Sequence, residues 1–217
     1  MADYKKPDYW QQKARSEGYP ARSVYKLKEI EEKFSLFKTP RIRAPEQASL
    51  RILDIGAAPG SWSLYVLRQF NAAKTAKLQN GFLAAADLSP LSREFDNGLF
   101  GGGNFFFIQG DVTTTEVRRA LLSKAPYSVI ISDAAPGTTG NHMVDSARSL
   151  DLAETVIGYA EAALVHGGNL ALKVFQGSGT DILLKRLRTL FETAKSFKPQ
   201  ACRGESVETY FIGLGKK

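Results

Sequence analysis

The sequence predicts an α/β protein, a mostly parallel sheet covered by helices on both faces. Three observations carry that expectation. Short apolar runs alternate with longer segments of helical spacing, the pattern of repeated strand–helix units. Several of those runs end in an acidic residue or open into a Gly-rich turn, as strands of such sheets do where they face a ligand. A chain of 217 residues with 43% hydrophobic content can also bury a substantial core, and residues 1–217 are read as one domain.

From the start of the chain, residues 8–38 mix basic, aromatic and aliphatic side chains. Val24, Leu27, Ile30, Phe34 and Phe37 recur at helical spacing and predict an amphipathic helix. Pro40 and Pro45 break that pattern, so TPRIRAPEQAS (39–49) reads as a linker from a basic N-terminal extension, 1–49, into the core. RILDI (51–55) has the length and composition of a strand, and GSWSLYVLRQF (60–70) of the helix that follows it. GFLAAAD (81–87), FFFIQ (105–109) and YSVIISD (127–133) are three further strands. A helix over roughly 146–165 leads to the strand NLALKVF (169–175). A helix near 180–194 and strands near 195–198 and 207–214 complete the series. There is no internal repeat, and Gly101, Gly102 and Gly103 mark a loop.

Composition excludes several classes. No stretch approaches the roughly 20 apolar residues needed to span a bilayer, and MADYKKPDYW lacks the apolar segment of a secretory signal. The single cysteine, Cys202, can form neither an internal disulfide nor a Cys-based zinc site, which favours a reducing compartment and a cytoplasmic protein. A small buried side chain is the simpler reading of Cys202 than a nucleophile. The net charge of +7 is unevenly spread: residues 1–51 carry 12 Lys and Arg against 7 Asp and Glu, residues 52–172 carry 8 against 11, and residues 173–217 carry 9 against 4. If the two basic ends meet on one face, they form a positive surface for a polyanion beside a less basic centre.

Strand one ends in DIGAAPG, running from Asp54 to Gly60 straight into a helix. Gly56 and Gly60 alone do not give the G-x-G-x-x-G of a dinucleotide site, and the Gly-Lys-Ser/Thr of a phosphate-binding loop is absent. What remains suits a ligand without phosphates, such as the amino-acid end of S-adenosyl-L-methionine. Asp87, ending strand two, is placed to accept from ribose hydroxyls. Asp111, after strand three, can accept from an adenine amino group. Trp62, just inside the helix, offers an apolar surface to the same pocket.

Asp133 sits at the tip of strand four in SDAAPGTTG, and Lys173 lies inside the apolar run LKVFQGSG. A lysine there is costly unless it has work or a partner, because burial disfavours the ammonium. Glu208 lies in SVETYFIG, where alternation turns Val207 and Thr209 to the other face. Lys26 lies in ARSVYKLKEI. Singly, each could be half of a salt bridge.

Together, GYPARSVYKLKEI, DIGAAPGSWS, ISDAAPGTTGNH, LALKVFQGSG and ESVETYF resemble, in order and over essentially the whole chain, the RrmJ/FtsJ family of ribose 2′-O-methyltransferases. The resemblance implies a Rossmann-like S-adenosylmethionine-dependent methyltransferase fold, with a seven-stranded sheet whose last strand is antiparallel. It carries the family's Lys-Asp-Lys-Glu tetrad over to Lys26, Asp133, Lys173 and Glu208, and the cofactor-binding positions to Gly60, Trp62, Asp87, Asp111 and Asp133. Glu205 competes for the tetrad glutamate, but Glu208, directly before Thr209 and Tyr210, fits the spacing better. Two features depart from the family. Ser61 replaces a second glycine after APG, and the segment 39–49 is long, which bears on substrate choice rather than on chemistry.

The expected reaction is displacement of a methyl group from a sulfonium by a ribose oxygen. Lys173 is the expected general base, although a reference pKa of about 10.4 must fall by about 3 units for that role near neutrality. Asp133 and Glu208 would orient Lys173 and the hydroxyl, and Lys26 would hold the acceptor nucleotide. The expected partner is RNA, bound in part through the basic N-terminal extension. The resemblance points to a uridine of large-subunit ribosomal RNA within an assembled subunit. Relatives of the family act on transfer RNA or messenger RNA caps. A monomer without membrane or metal is expected. A ribosome-assembly factor that binds RNA without catalysis is the rival from another class, and a nicotinamide-dependent oxidoreductase is disfavoured by the missing glycine pattern.

Overall fold

Four consecutive residues, Ile52 through Ile55, are fully buried because β1 (Arg51–Ile55) has a strand on each side and helices on both faces. The computed structural model describes residues 9–39, 42 and 49–217. Around β1 the strands form a seven-stranded sheet in the order β3-β2-β1-β4-β5-β7-β6. The others are β2 (Phe82–Asp87), β3 (Phe105–Gln109), β4 (Tyr127–Ser132), β5 (Leu164–Phe175), β6 (Phe191–Phe197) and β7 (Glu208–Lys216). β1 to β5 pair in parallel, and β7 inserts antiparallel between β5 and β6. The chain runs outward from β1 to β3, then crosses back to β4 on the other side of β1. This reversal opens a crevice beyond the carboxyl ends of β1 and β4.

The sheet divides the core in two. On one face, α5 (Thr115–Leu122), α6 (His142–Ala163) and α7 (Thr180–Leu190) pack Val117, Leu121, Val156, Ile157, Leu183 and Leu187 against Leu53, Ile55 and Leu172. On the other, α1 (Tyr9–Ser16), α2 (Val24–Phe34) and α3 (Ser61–Ala72) bury Ala14, Val24, Leu27, Ile30 and Trp62 against Ile52, Ile131 and Tyr210. The N-terminal segment is therefore part of the core rather than an appendage to it. Buried Asn169 ties it down, donating to Leu36 O at 2.8 Å and accepting from Gly215 N at 3.0 Å.

Several boundaries differ from the sequence reading. The N-terminal helix is two helices, with Phe37 beyond the end of α2, where Ser35 turns left-handed at φ 50°. Asn141 caps α6 by accepting from Met143 N and Val144 N, so that helix begins four residues before the expected position 146. α7 stops at Leu190 and β6 takes Phe191–Phe197, because pairing of Phe191 with Lys216 and of Ala194 with Gly213 overrides helical spacing in this edge strand. α5 and the one-turn α4 (Ala76–Gln79) were not expected. Pro40, Pro45 and most of the expected linker 39–49 lie outside the described residues, as do residues 1–8. Among the described residues, no helix is long and apolar enough to cross a membrane.

Candidate active site

The four charged residues singled out in the sequence converge from four elements. Asp133 follows β4 directly, Lys173 lies in β5, Glu208 opens β7, and Lys26 lies in the first turn of α2. Antiparallel pairing sets Lys173 opposite Tyr210 and Phe175 opposite Glu208, so Lys173, Glu208 and Tyr210 share one face of the sheet. Lys173 Nζ stands 3.0 Å from Asp133 Oδ1 and donates to Asp133 O at 2.5 Å. Lys26 Nζ reaches Glu208 Oε1 at 2.7 Å and Asp133 Oδ1 at 3.9 Å. The result is a continuous alternation of charge, Lys173–Asp133–Lys26–Glu208, in which each side chain is at most 15% exposed.

The electrostatics follow from that alternation. Burial alone would raise the Asp133 pKa, but the Lys173 and Lys26 charges and a hydrogen bond from Tyr210 outweigh it and hold the carboxyl below its ordinary value. Burial works against the Lys26 ammonium, and the Asp133 and Glu208 carboxylates reverse the effect and raise its pKa. Tyr210 was not singled out in the sequence. Its hydroxyl donates to Asp133 Oδ1 at 2.5 Å, and burial followed by the Asp133 charge keeps it protonated. Its signal was legible: position 210 lies two residues beyond Glu208 and thus on the same face of a strand. Cys202, also close by, is buried, and its thiol is pushed up to about 12 by burial and by Glu208, which fits a packed side chain and not a thiolate nucleophile.

At the other end of the quartet a cavity of about 250 Å³ opens at the crevice, lined by Gly56, Asp87, Gly110, Asp111, Asp133 and Ala134 among others. A Cβ at Gly56 would stand 2.5 Å from Ala134 Cα, and φ there is +78°, so only glycine lets β1 and the segment after β4 approach this closely. Gly60, at φ +112°, turns the chain into α3 and faces Phe100, where a Cβ would meet the ring at 2.8 Å. Asp87 fixes the loop between them: Oδ2 accepts from Ala58 N at 2.9 Å and Oδ1 from Ser89 N at 2.8 Å. Each oxygen keeps a further lone pair for a ligand. Asp111 is exposed and pinned by Thr113, which donates through both its N–H and its hydroxyl.

Gly60 and Trp62 are not among the residues lining this cavity. Trp62 is 2% exposed, donates its indole N–H to Ser23 O at 2.8 Å and packs near Tyr210, so it joins α3 to the start of α2. Ser61 acts alongside it: its hydroxyl donates to Ala21 O at 3.0 Å and accepts from Ala21 N at 2.8 Å. The serine that departs from the family pattern thus fastens the segment carrying Lys26. A fully buried acid, Asp54, was read only as the start of the loop. It accepts from Ser63 Oγ at 2.7 Å, its Oδ1 has no partner, and burial followed by the charges of Asp133 and Asp87 pushes its pKa up to about 7. Asp54 is sealed from the crevice, so the acids open to a ligand are Asp87, Asp111 and Asp133, and these suit one bearing positive charge and hydroxyl donors.

A switch-point crevice without a phosphate-binding loop, lined by acids at or just after the ends of β2, β3 and β4, and an antiparallel strand inserted near one edge define a Rossmann-like methyltransferase domain. Comparison with known proteins agrees. The model of the FtsJ-like methyltransferase family matches residues 19–216, and the chain belongs to that family. It is 46% identical over 215 residues to ribosomal RNA large subunit methyltransferase E of Treponema denticola, covering 99% of this chain and 97% of that one. It is 42% identical over 205 residues to the protein of the same name from Borrelia duttonii, covering 94% of each. Among solved structures, a Plasmodium falciparum chain described as a ribosomal RNA methyltransferase superposes with a TM-score of 0.70 at 24% identity, covering 91% of this chain and 98% of that one. At that level of identity the likeness bears on the fold alone.

Proposed function

We propose that this protein transfers a methyl group from S-adenosyl-L-methionine to a ribose 2′-hydroxyl of large-subunit ribosomal RNA. The observation that carries the reading is the buried Lys173–Asp133–Lys26–Glu208 alternation beside a crevice lined by strand-end acids. The names of the relatives support the substrate class. Gly56, Asp87, Asp111 and Asp133 would hold the cofactor. Its positively charged sulfonium, when bound, supplies an electrophilic methyl group. Gly60 and Trp62 would serve the site through the backbone turn into α3, since neither side lines the crevice.

The remaining work belongs to the chain. Lys173 is the group to take the hydroxyl proton, because it stands on a rigid strand and is held by two oxygens of Asp133, the member of the quartet that lines the crevice. Asp133 aims Lys173 and is itself fixed by Tyr210. Glu208 and Lys26 form a tight pair that can orient the acceptor ribose, and Lys26 offers the positive end of that pair. None of these side chains needs to move far, so alignment is built into the fold before RNA arrives.

The test is methyl transfer from labelled cofactor into large subunits, small subunits and bulk transfer RNA from a methylation-deficient source, with Lys173→Ala alongside. Label confined to large subunits, recovered as an alkali-resistant dinucleotide and lost in the variant, is the expected result. Label in transfer RNA would replace the substrate assignment, and cofactor binding without transfer to any RNA would replace catalysis by a binding role.

A further inference from the structure

β4 and β5 pair only as far as Ser132 and Leu172, one residue before Asp133 and Lys173. Beyond that point β4 leaves the sheet, and β5 continues to Phe175 paired with β7 alone. Gln176 N donates to Val207 O on the β7 side. Amides alternate in direction along a strand, so Phe175 N, one residue earlier, faces the side that β4 has vacated. There it donates to Ser149 Oγ at 2.9 Å. Ser149 lies in the second turn of α6 and is 3% exposed. We infer that Ser149 is a positioning residue for the reaction: its hydroxyl stands in for the missing strand and holds the end of β5, and with it Lys173, where the proton is to be taken. The inference rests on the methyl-transfer reading above and deepens it with a residue that is not among those lining the crevice.

Three observations support it. A half-buried amide whose neighbouring strand has gone needs another acceptor, and without one the strand end shifts to find it. Second, the chain beyond Phe175 runs hard against α6: a Cβ on Gly177 would lie 2.6 Å from Ser146 Oγ, so glycine is what lets the end of β5 come within reach of the helix. Third, the same two turns of α6 fix the segment that follows Asp133. Asp145 accepts from Thr139 N and Thr139 Oγ1, both at 2.8 Å, and from Gly140 N at 3.2 Å, and Arg148 donates to Gly137 O at 3.2 Å. One helix thus grips the chain beyond both partners of the 3.0 Å Lys173–Asp133 pair, and Ser149 is its hold on the lysine side. A misplacement of about 1 Å at a reacting group costs on the order of 10²-fold in rate, so a hydroxyl outside the site bears on turnover.

Ser149→Ala removes the acceptor and leaves Lys173 in the chain. It is expected to lower kcat on methylation-deficient large subunits about ten-fold, with KM for the subunits and cofactor affinity measured by calorimetry unchanged. Exchange of the Phe175 amide with deuterium should speed up, while that of Gln176, bonded to Val207 O, should not. Ser149→Thr restores a hydroxyl and should recover most of the lost kcat. Ala147→Gly, at an exposed position of the same helix, lowers helix stability and should keep the wild-type kcat, which separates positioning from general loosening. A wild-type kcat in Ser149→Ala overturns the inference, as does a loss of kcat that Ser149→Thr fails to recover or that Ala147→Gly shares. Failure of the wild-type protein to methylate any RNA, or wild-type rates in Lys173→Ala, would instead overturn the reading on which the inference rests, so the two failures are distinguishable.

Discussion

Lys173 is the side chain on which the proposed chemistry depends most narrowly. Removing a positioned general base costs on the order of 10²–10⁴ in rate, so Lys173→Ala should lose methyl transfer to that extent while still binding cofactor. Lys173→Arg should not restore it, because a guanidinium does not give up its proton in this range. Rates near wild type in either variant would remove Lys173 from the role. Tyr210→Phe is a subtler test. It deletes the hydroxyl that donates to Asp133 Oδ1, leaves the ring in the core, and should lower kcat about ten-fold with KM for RNA unchanged. The quartet was visible in the sequence because charges interrupted apolar runs, and a charge inside a strand demands a partner. Tyr210 is easy to pass over because an aromatic in a strand needs no explanation, although its place two residues beyond Glu208 sets it on the same face, and its register beside Lys173 then brings it to Asp133. Asp54 escaped for the opposite reason: an acid at a strand end looks like a ligand-facing group until burial and an unpartnered oxygen mark it as something else.

At the scale of elements, the site depends on how α2 is seated. Trp62 donates to Ser23 O and Ser61 exchanges two hydrogen bonds with Ala21, so α3 holds the segment from which Lys26 projects. Trp62→Phe keeps most of the apolar volume and removes the indole donor. It should cost about 1–2 kcal/mol of stability by denaturant titration and lower methyl transfer with little change in cofactor affinity. Gly56→Ala should do the reverse, because its Cβ intrudes on Ala134 beside the crevice: cofactor affinity measured by calorimetry should fall well before RNA binding does. An unchanged cofactor affinity would show that the close approach of β1 to the segment after β4 does not matter to binding. Element boundaries were the least legible feature. α5 buries only Val117 and Leu121 and carries too short a stripe to stand out, whereas β6 lacks alternation because it is an edge strand defined by its pairing with β7. The strands β1 to β5 and their order of acids were legible because each is a compact apolar run closed by a turn.

For the molecule as a whole, strand order concentrates charge in a way the chain order only suggests. The two basic ends do meet: Glu29 binds the amides of the β6–β7 loop, and Lys33 of α2 lies 4.2 Å from the Phe197 ring. The acidic middle of the chain meanwhile gathers Asp54, Asp87 and Asp133 near the centre of the sheet. This gathering has a stability consequence through Asp54, whose pKa burial and its acidic neighbours push up to about 7. The unfolded chain gives up this proton near the ordinary value of about 3.9. Between those two values the folded state binds more protons than the unfolded state, so the contribution of Asp54 is fully present below the lower value and is lost as pH rises through the upper one. Asp54→Asn cannot ionise and has no such loss. In thermal denaturation without cofactor, the melting temperature of the variant should therefore gain on that of wild type by about several degrees between pH 4.5 and pH 7.5 and then hold level. A difference between the two proteins that stays constant across this range would mean that Asp54 keeps the same protonation in folded and unfolded chains. The acidic centre would then not bear on the stability of the fold.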